Sequence, residues 1–204
     1  MKKILLVCIA MTYLSAGQYD KVKITPDMSY IYVYHKGKAV KVHRTQDPQH
    51  KLTGEYAKQY RPGQYLQPIS IYENIQTIGE VELLHFMKDK VNDKKGLIVD
   101  VRPKKYYNQE SIPSAVNMPA TIKNDDVKME KILKIMGAKR ADDGTLNTEH
   151  AMDVVFYCHG LWCKKAPEFI NAFLELGYPA EKVLYYRGGF QMWKILGFTT
   201  VINK

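Results

Sequence analysis

The side chains of this 204-residue chain that could do chemistry concentrate in one stretch, Tyr157-Cys158-His159-Gly160-Leu161-Trp162-Cys163-Lys164-Lys165-Ala166. Cys158 ends a short apolar run, and an amphipathic pattern resumes at Lys165. The expected order is therefore a buried strand, a tight loop and a helix. That order activates a thiol: loop amides turned to one point make an anion-binding nest, and the following helix N-terminus adds positive potential. Lys164 and Lys165 stand close enough in sequence to favour thiolate over thiol. A lone cysteine after a strand is ordinarily a small buried hydrophobe, so the context carries this reading. Cys163 is either a helix-leading residue with no role or a resolving thiol able to attack a sulfur on Cys158. Five positions apart on a loop, the two Cα atoms can approach the ~5.5 Å a disulfide needs, whereas an ideal helix through both would not allow it. His159 faces either solvent or a substrate mouth and is a candidate proton donor. Trp162 could wall the same mouth, while Trp193 reads as core.

Such a loop needs a sheet behind it. Gly96 to Val101, Val154 to Tyr157 and Val183 to Tyr186 are short, nearly continuous apolar runs, the mark of parallel strands covered on both faces. Helical patterns at Asp125 to Met136, Lys165 to Leu176 and Phe190 to Leu196 alternate with them. The expected fold class is therefore α/β, a mostly parallel sheet with helices on both faces and its ligand site at the carboxyl ends of the strands. Ahead of the sheet, Val81, Leu83, Leu84 and Met87 predict a helix, with Thr77 and Glu80 as its capping box. Tyr30 to Tyr34 alternate and are answered by Val40-Lys41-Val42 across Lys36-Gly37-Lys38, which predicts a β-hairpin. The stretch from Arg44 to Pro68 is punctuated by Pro and Gly and reads as an extended arm that wraps the next domain or binds a partner. His35, His43 and His50 lack the spacing of a metal site and read as surface residues.

Three stretches, taken in order, resemble the rhodanese family. Asp100-Val101-Arg102-Pro103-Lys104-Lys105-Tyr106-Tyr107 with Ser111-Ile112-Pro113-Ser114-Ala115-Val116-Asn117-Met118-Pro119 is similar to the first signature of that family. The Cys158 loop is similar to its active-site segment, and Tyr186-Arg187-Gly188-Gly189-Phe190-Gln191-Met192-Trp193 to its closing one. The resemblance runs from about Thr77 to Ile202 and implies a rhodanese-like fold. It also implies a sulfurtransferase in which Cys158 attacks the outer sulfur of a donor such as thiosulfate and passes the persulfide to a thiol acceptor, with no cofactor and no metal. The Cys-x-Gly-x-x-Cys loop resembles that of an exported subset of the family. A histidine common before the Ile-Pro pair is replaced by Glu110-Ser111, a change expected to affect packing more than chemistry. The loop has lysines where many members have Arg, so a guanidinium fork for the anion is missing and phosphatase chemistry is disfavoured. Asp100 and Arg102 are expected to support the sheet and loops rather than touch substrate. Two other functions fit the same residues: a non-catalytic binding module with a structural disulfide, and a thiol–disulfide redox protein using Cys158 and Cys163.

The first residues suggest a compartment. Met1-Lys2-Lys3, an apolar Ile4 to Leu14 and Ser15-Ala16-Gly17 read as a secretory signal peptide, residues 1–17, carrying Cys8 away with it. Residues 18–76 then form the hairpin and arm, and 77–204 the α/β domain. Export would be periplasmic or its equivalent, with no stable membrane insertion after cleavage, since no apolar run nears the ~20 residues of a spanning helix. Removing Lys2 and Lys3 from a chain of formal charge +9 leaves +7. Without a Lys/Arg block, that balance reads as a solvated basic surface rather than a nucleic-acid site, with a modest bias toward small anionic substrates such as a sulfur donor. Residues 18–76 are a candidate surface for a protein partner.

Overall fold

Valine, isoleucine and aromatic side chains on both sides of a strand demand cover on both faces, and the chain supplies it. In the computed structural model, which describes residues 21–57 and 65–203, five parallel strands form one sheet. They are β3 (Gln76–Ile78), β4 (Gly96–Asp100), β5 (Val116–Asn117), β8 (Asp153–Tyr157) and β9 (Val183–Tyr186), in the order β3-β9-β8-β4-β5. Two further strands, β6 (Lys139–Arg140) and β7 (Leu146–Asn147), make a small separate hairpin. The proposed signal peptide and Cys8 lie outside the described residues.

The period of two along β8 splits the core. Val154 and Phe156 face α3 (Asp126–Ile135) and α4 (Lys165–Glu175), joining Met129, Leu133, Phe169 and Phe173 in one cluster. Val155 and Tyr157 face the other way, against Leu83 and Leu84 of α1 (Glu80–Phe86) and Phe190 and Trp193 of α5 (Gly189–Ile195). A short α2 (Lys104–Gln109) follows β4.

The hairpin, β1 (Tyr30–His35) with β2 (Lys38–His43), turns through Lys36 and Gly37, both at positive φ (48° and 76°), the geometry that suits the strand twist. Ile31, Val33 and Val42 join the α1/α5 cluster, while Tyr30, Tyr32 and Tyr34 point outward.

Two expectations are corrected here. Thr77 does not cap α1: it sits in β3, paired with Tyr185, because the sheet needs it as a strand residue. Gly79 takes the N-cap, its N–H donating to the Glu82 carboxylate at 3.1 Å, and Glu80 instead accepts from the Tyr186 hydroxyl. His35 is not a surface histidine. It is buried, with Nε2 2.8 Å from Asn203 Oδ1 and Nδ1 accepting from the Ser114 N–H at 3.1 Å.

Those partners fit a neutral ring, and burial holds the His35 pKa below its ordinary 6.5 despite the Asn203 bond. A histidine lowered on folding contributes stability in full above 6.5, lost as pH falls from there toward the native value, because the unfolded chain then binds the extra proton. His35→Gln is therefore expected to flatten the decline of the urea midpoint between about pH 6.5 and pH 5. An unchanged slope would assign that decline elsewhere.

Candidate active site

Tyr157 closes β8 at the centre of the sheet, so Cys158 emerges where strand carbonyls end. The loop is packed from behind by the Gly-Gly turn ahead of α5: Phe190 and Gln191 donate their N–H groups to the carbonyls of Cys158 and His159 at 2.9 and 2.8 Å. Gly189 has φ +60°, and a Cβ there would come within 2.6 Å of the Cys158 carbonyl oxygen and 2.8 Å of the Gly160 nitrogen. Close approach of two backbones is the reason for glycine at that place.

Cys158 and Cys163 form a disulfide, with Cα atoms 6.2 Å apart. It forms because α4 starts only at Lys165, leaving Cys163 in the loop. The amide of Cys163 donates to the Gly160 carbonyl at 2.9 Å, so that N–H is committed within the loop.

The two lysines after Cys163 meet a carboxylate. Lys164 and Lys165 hold their ammonium groups 3.5 and 3.6 Å from Glu168, which Lys123 also engages at 3.0 Å. Together the lysines hold the Glu168 carboxyl below its ordinary value against the opposing effect of its burial. The lysine side chains are 71% and 54% exposed, so solvent screens what field they cast on the cysteines. Changing both to Gln is expected to alter kcat/KM for an anionic donor by less than about threefold near 0.15 M salt, and by more at low ionic strength. A tenfold loss at 0.15 M salt would restore them as the tuning charges.

His159 does not face open solvent. Its ring stacks on Trp162 (centroids 5.8 Å, planes 15° apart) and meets the edge of Tyr106 (4.7 Å, 86°), with Nδ1 3.6 Å from the Glu55 carboxylate. Beside this group opens a cavity of about 790 Å³. Cys163, His159, Trp162, Lys164 and Lys165 line it; Cys158 and Leu161 do not.

Asp100 and Arg102 lie below the loop, 0% and 1% exposed. Arg102 donates from Nε to both Asp100 oxygens at 2.9 and 3.1 Å, and from Nη2 to Oδ2 at 2.6 Å and to the Glu110 carbonyl at 2.7 Å. Its remaining nitrogen reaches the Tyr56 hydroxyl at 2.6 Å, and the guanidinium lies 4.1 Å from the Phe190 ring centroid. Burial opposes the Arg102 charge, but Asp100, Tyr157 and Tyr56 together outweigh it and raise the pKa. Burial first and Asp100 second raise that of Tyr157.

The arm reaches this site. Glu55 and Tyr56 sit in a 3-10 turn (Gly54–Ala57) over it, and Gln67 donates its N–H to the Leu161 carbonyl at 2.8 Å while its own carbonyl accepts from Arg187. Nothing in the sequence marked Glu55, Tyr56 or Gln67, because no local pattern encodes contact with a loop about a hundred residues away. Tyr106 lies within the first signature, but nothing local assigns it a role. Among the described residues, no cluster of His, Cys, Asp and Glu could hold a metal ion, and no helix is long and apolar enough to cross a membrane.

The sequence matches the family described as Rhodanese-like domain over residues 83–196, a span that includes β4, β8, β9 and the loop between Cys158 and Cys163. No curated protein matches the chain. Among solved structures, a Bacillus halodurans protein is similar at 21% identity, covering 62% of this chain and 77% of that one, with a TM-score of 0.45. A Saccharomyces cerevisiae homologue of single-domain rhodanese and of the Cdc25 phosphatase catalytic domain is similar at 20% identity over 63% and 85%, TM-score 0.47. A thiosulfate sulfurtransferase from Pseudomonas aeruginosa is similar at 15% identity over 64% of this chain and 21% of that one, TM-score 0.46.

Proposed function

Because this chain belongs to the Rhodanese-like domain family, we propose that it is an exported sulfurtransferase that forms a persulfide on Cys158 and clears it through Cys163. The single observation carrying this reading is the Cys158–Cys163 bond at the carboxyl end of β8. A thiolate at Cys158 attacks the outer sulfur of thiosulfate, the S–S bond of the donor breaks, sulfite leaves with the electron pair, and Cys158 holds one sulfur more. An external thiolate then takes that sulfur. Alternatively, Cys163 attacks Cys158 Sγ, hydrosulfide leaves, and a Cys158–Cys163 disulfide forms; two external thiols reopen it. The same bond supports a thiol–disulfide redox function, which differs in needing no sulfane sulfur.

The test is mass spectrometry of reduced protein incubated with thiosulfate. In Cys163→Ala protein, where internal clearance is blocked, an adduct of one sulfur atom on the Cys158 peptide is expected with sulfite released in equal amount; no adduct and no sulfite there, with the wild-type disulfide still cycling, would leave the redox function instead. Cys163→Ala is expected to prolong the persulfide at least about tenfold and to cut sulfide release in the absence of added thiol. An unchanged lifetime would remove Cys163 from the cycle. Export is read from Met1 to Gly17 alone, and sequencing the mature N-terminus, expected near Gln18, tests it.

A further inference from the structure

We propose that the cavity beside the disulfide binds a small organic thiol with an aromatic body and a carboxylate, and that this thiol opens the disulfide at Cys163. The inference deepens the reading above by naming what re-reduces the same two cysteines.

Size comes first. About 790 Å³ falls within the range of sites for organic ligands, roughly 300–1,000 Å³, and is far more than an inorganic sulfur anion fills. Flat apolar side chains contribute to the walls: Pro103, Tyr106, Pro119 and, from the loop, Trp162. Tyr106 and Trp162 are already fixed by their contacts with His159, so an aromatic ring meets a preformed surface. Charge comes second. Lys104, Lys164 and Lys165 line the cavity and no carboxylate does among the described residues. Lys164 and Lys165 share one carboxylate, Glu168, with Lys123, which leaves positive charge in excess for an anionic ligand.

Reach decides the chemistry. Cys163 lines the cavity and Cys158 does not; Cys158 is backed by Gly189 and held through its carbonyl by Phe190. A thiolate must approach a disulfide sulfur opposite the sulfur that leaves, so one arriving from the cavity attacks Cys163 Sγ. The bond between the incoming sulfur and Cys163 forms, the Cys158–Cys163 bond breaks, and Cys158 departs as the thiolate the sulfurtransferase step needs. A second thiolate attacks the ligand's sulfur, releasing the organic disulfide and leaving Cys163 reduced.

The experiment uses the oxidised protein with 4-mercaptobenzoate, 4-methylthiophenol and 2-mercaptoethanol at equal thiolate concentration, each rate being divided by that of the same thiolate on a small reference disulfide to remove intrinsic nucleophilicity. Partial reactions are quenched in acid, free thiols alkylated and peptides mapped. The expected result is mercaptobenzoate on Cys163 and the alkyl group on Cys158. The rate should exceed that of mercaptoethanol at least tenfold and that of methylthiophenol at least threefold, and raising salt should narrow the second gap. Trp162→Ala should slow both aromatic thiols and spare mercaptoethanol. An adduct on Cys158, or equal rates for the three probes, would overturn the proposal. Persulfide formation from thiosulfate by the reduced protein is read separately: its loss with probe selectivity intact counts against the sulfurtransferase reading alone.

Discussion

Cys158→Ser is expected to abolish sulfur transfer, with a loss of more than about a thousandfold in kcat/KM, or ~4 kcal/mol of transition-state stabilisation. The hydroxyl has nearly the shape of the thiol, and the site is buried to 3% exposure, so packing is kept. What is lost is the nucleophile, because a serine hydroxyl stays protonated at neutral pH, whereas a cysteine supplies thiolate. The substitution also removes the disulfide. Closing so short a loop contributes about 2 kcal/mol in the chain-entropy account, so stability is compared with reduced wild-type protein, against which little change is expected. Sulfite release from thiosulfate and the mass of the Cys158 peptide read the result. Transfer persisting at a tenth of wild type would move the nucleophile to Cys163.

The largest effect on stability is expected at the ion pair under the loop. Arg102→Met leaves the Asp100 carboxylate at 0% exposure with the Tyr157 hydroxyl, at 2.6 Å, and the Arg102 N–H, at 3.0 Å, as its donors. Removing one partner of a buried pair costs about 3–5 kcal/mol, since the remaining charge stays desolvated and uncompensated. That is a large part of the roughly 5–15 kcal/mol by which a domain is stable. Replacing both, Asp100→Asn with Arg102→Met, should recover at least about half of the loss, because no orphaned charge remains. Urea midpoints of wild type, Arg102→Met, Asp100→Asn and the double variant give the coupling. A single Arg102→Met loss under about 1 kcal/mol would show that water reaches the pair. The arm is affected too: Tyr56 loses its 2.6 Å partner, so protease sensitivity around residues 54–57 should rise together with the loss of stability.

The central sheet was legible because its code is local. A run such as Leu97-Ile98-Val99 has apolar side chains on both faces of the strand and can be satisfied only by cover on both, so its burial and neighbours follow from the run alone. The same holds for β8 and β9, and for the hairpin, whose alternation carries its own register. The Asp100-x-Arg102 pair was visible as well, being two residues apart. Strands of two or three residues were not: β3 and β5 carry too few side chains to show a period, and exist because β9 and β4 offer them an edge.

At the site, residue types and order marked Cys158 as the place to look, since a thiol between a buried strand and a helix needs nothing distant to be recognised. Tertiary structure decided the rest. It turned Lys164 and Lys165 to Glu168, placed His159 between Tyr106 and Trp162, brought Glu55 and Gln67 to the loop, and buried His35 against Asn203, 168 residues away. It also closed Cys158 onto Cys163, a pairing that five residues of separation allow and a helix through them would forbid. The physical reason is the range of the forces. Apolar periodicity is written into consecutive residues, but the partner of a charge, a ring or a sulfur is chosen by which segments the packed sheet brings within a few ångströms, and sequence spacing carries no record of that distance.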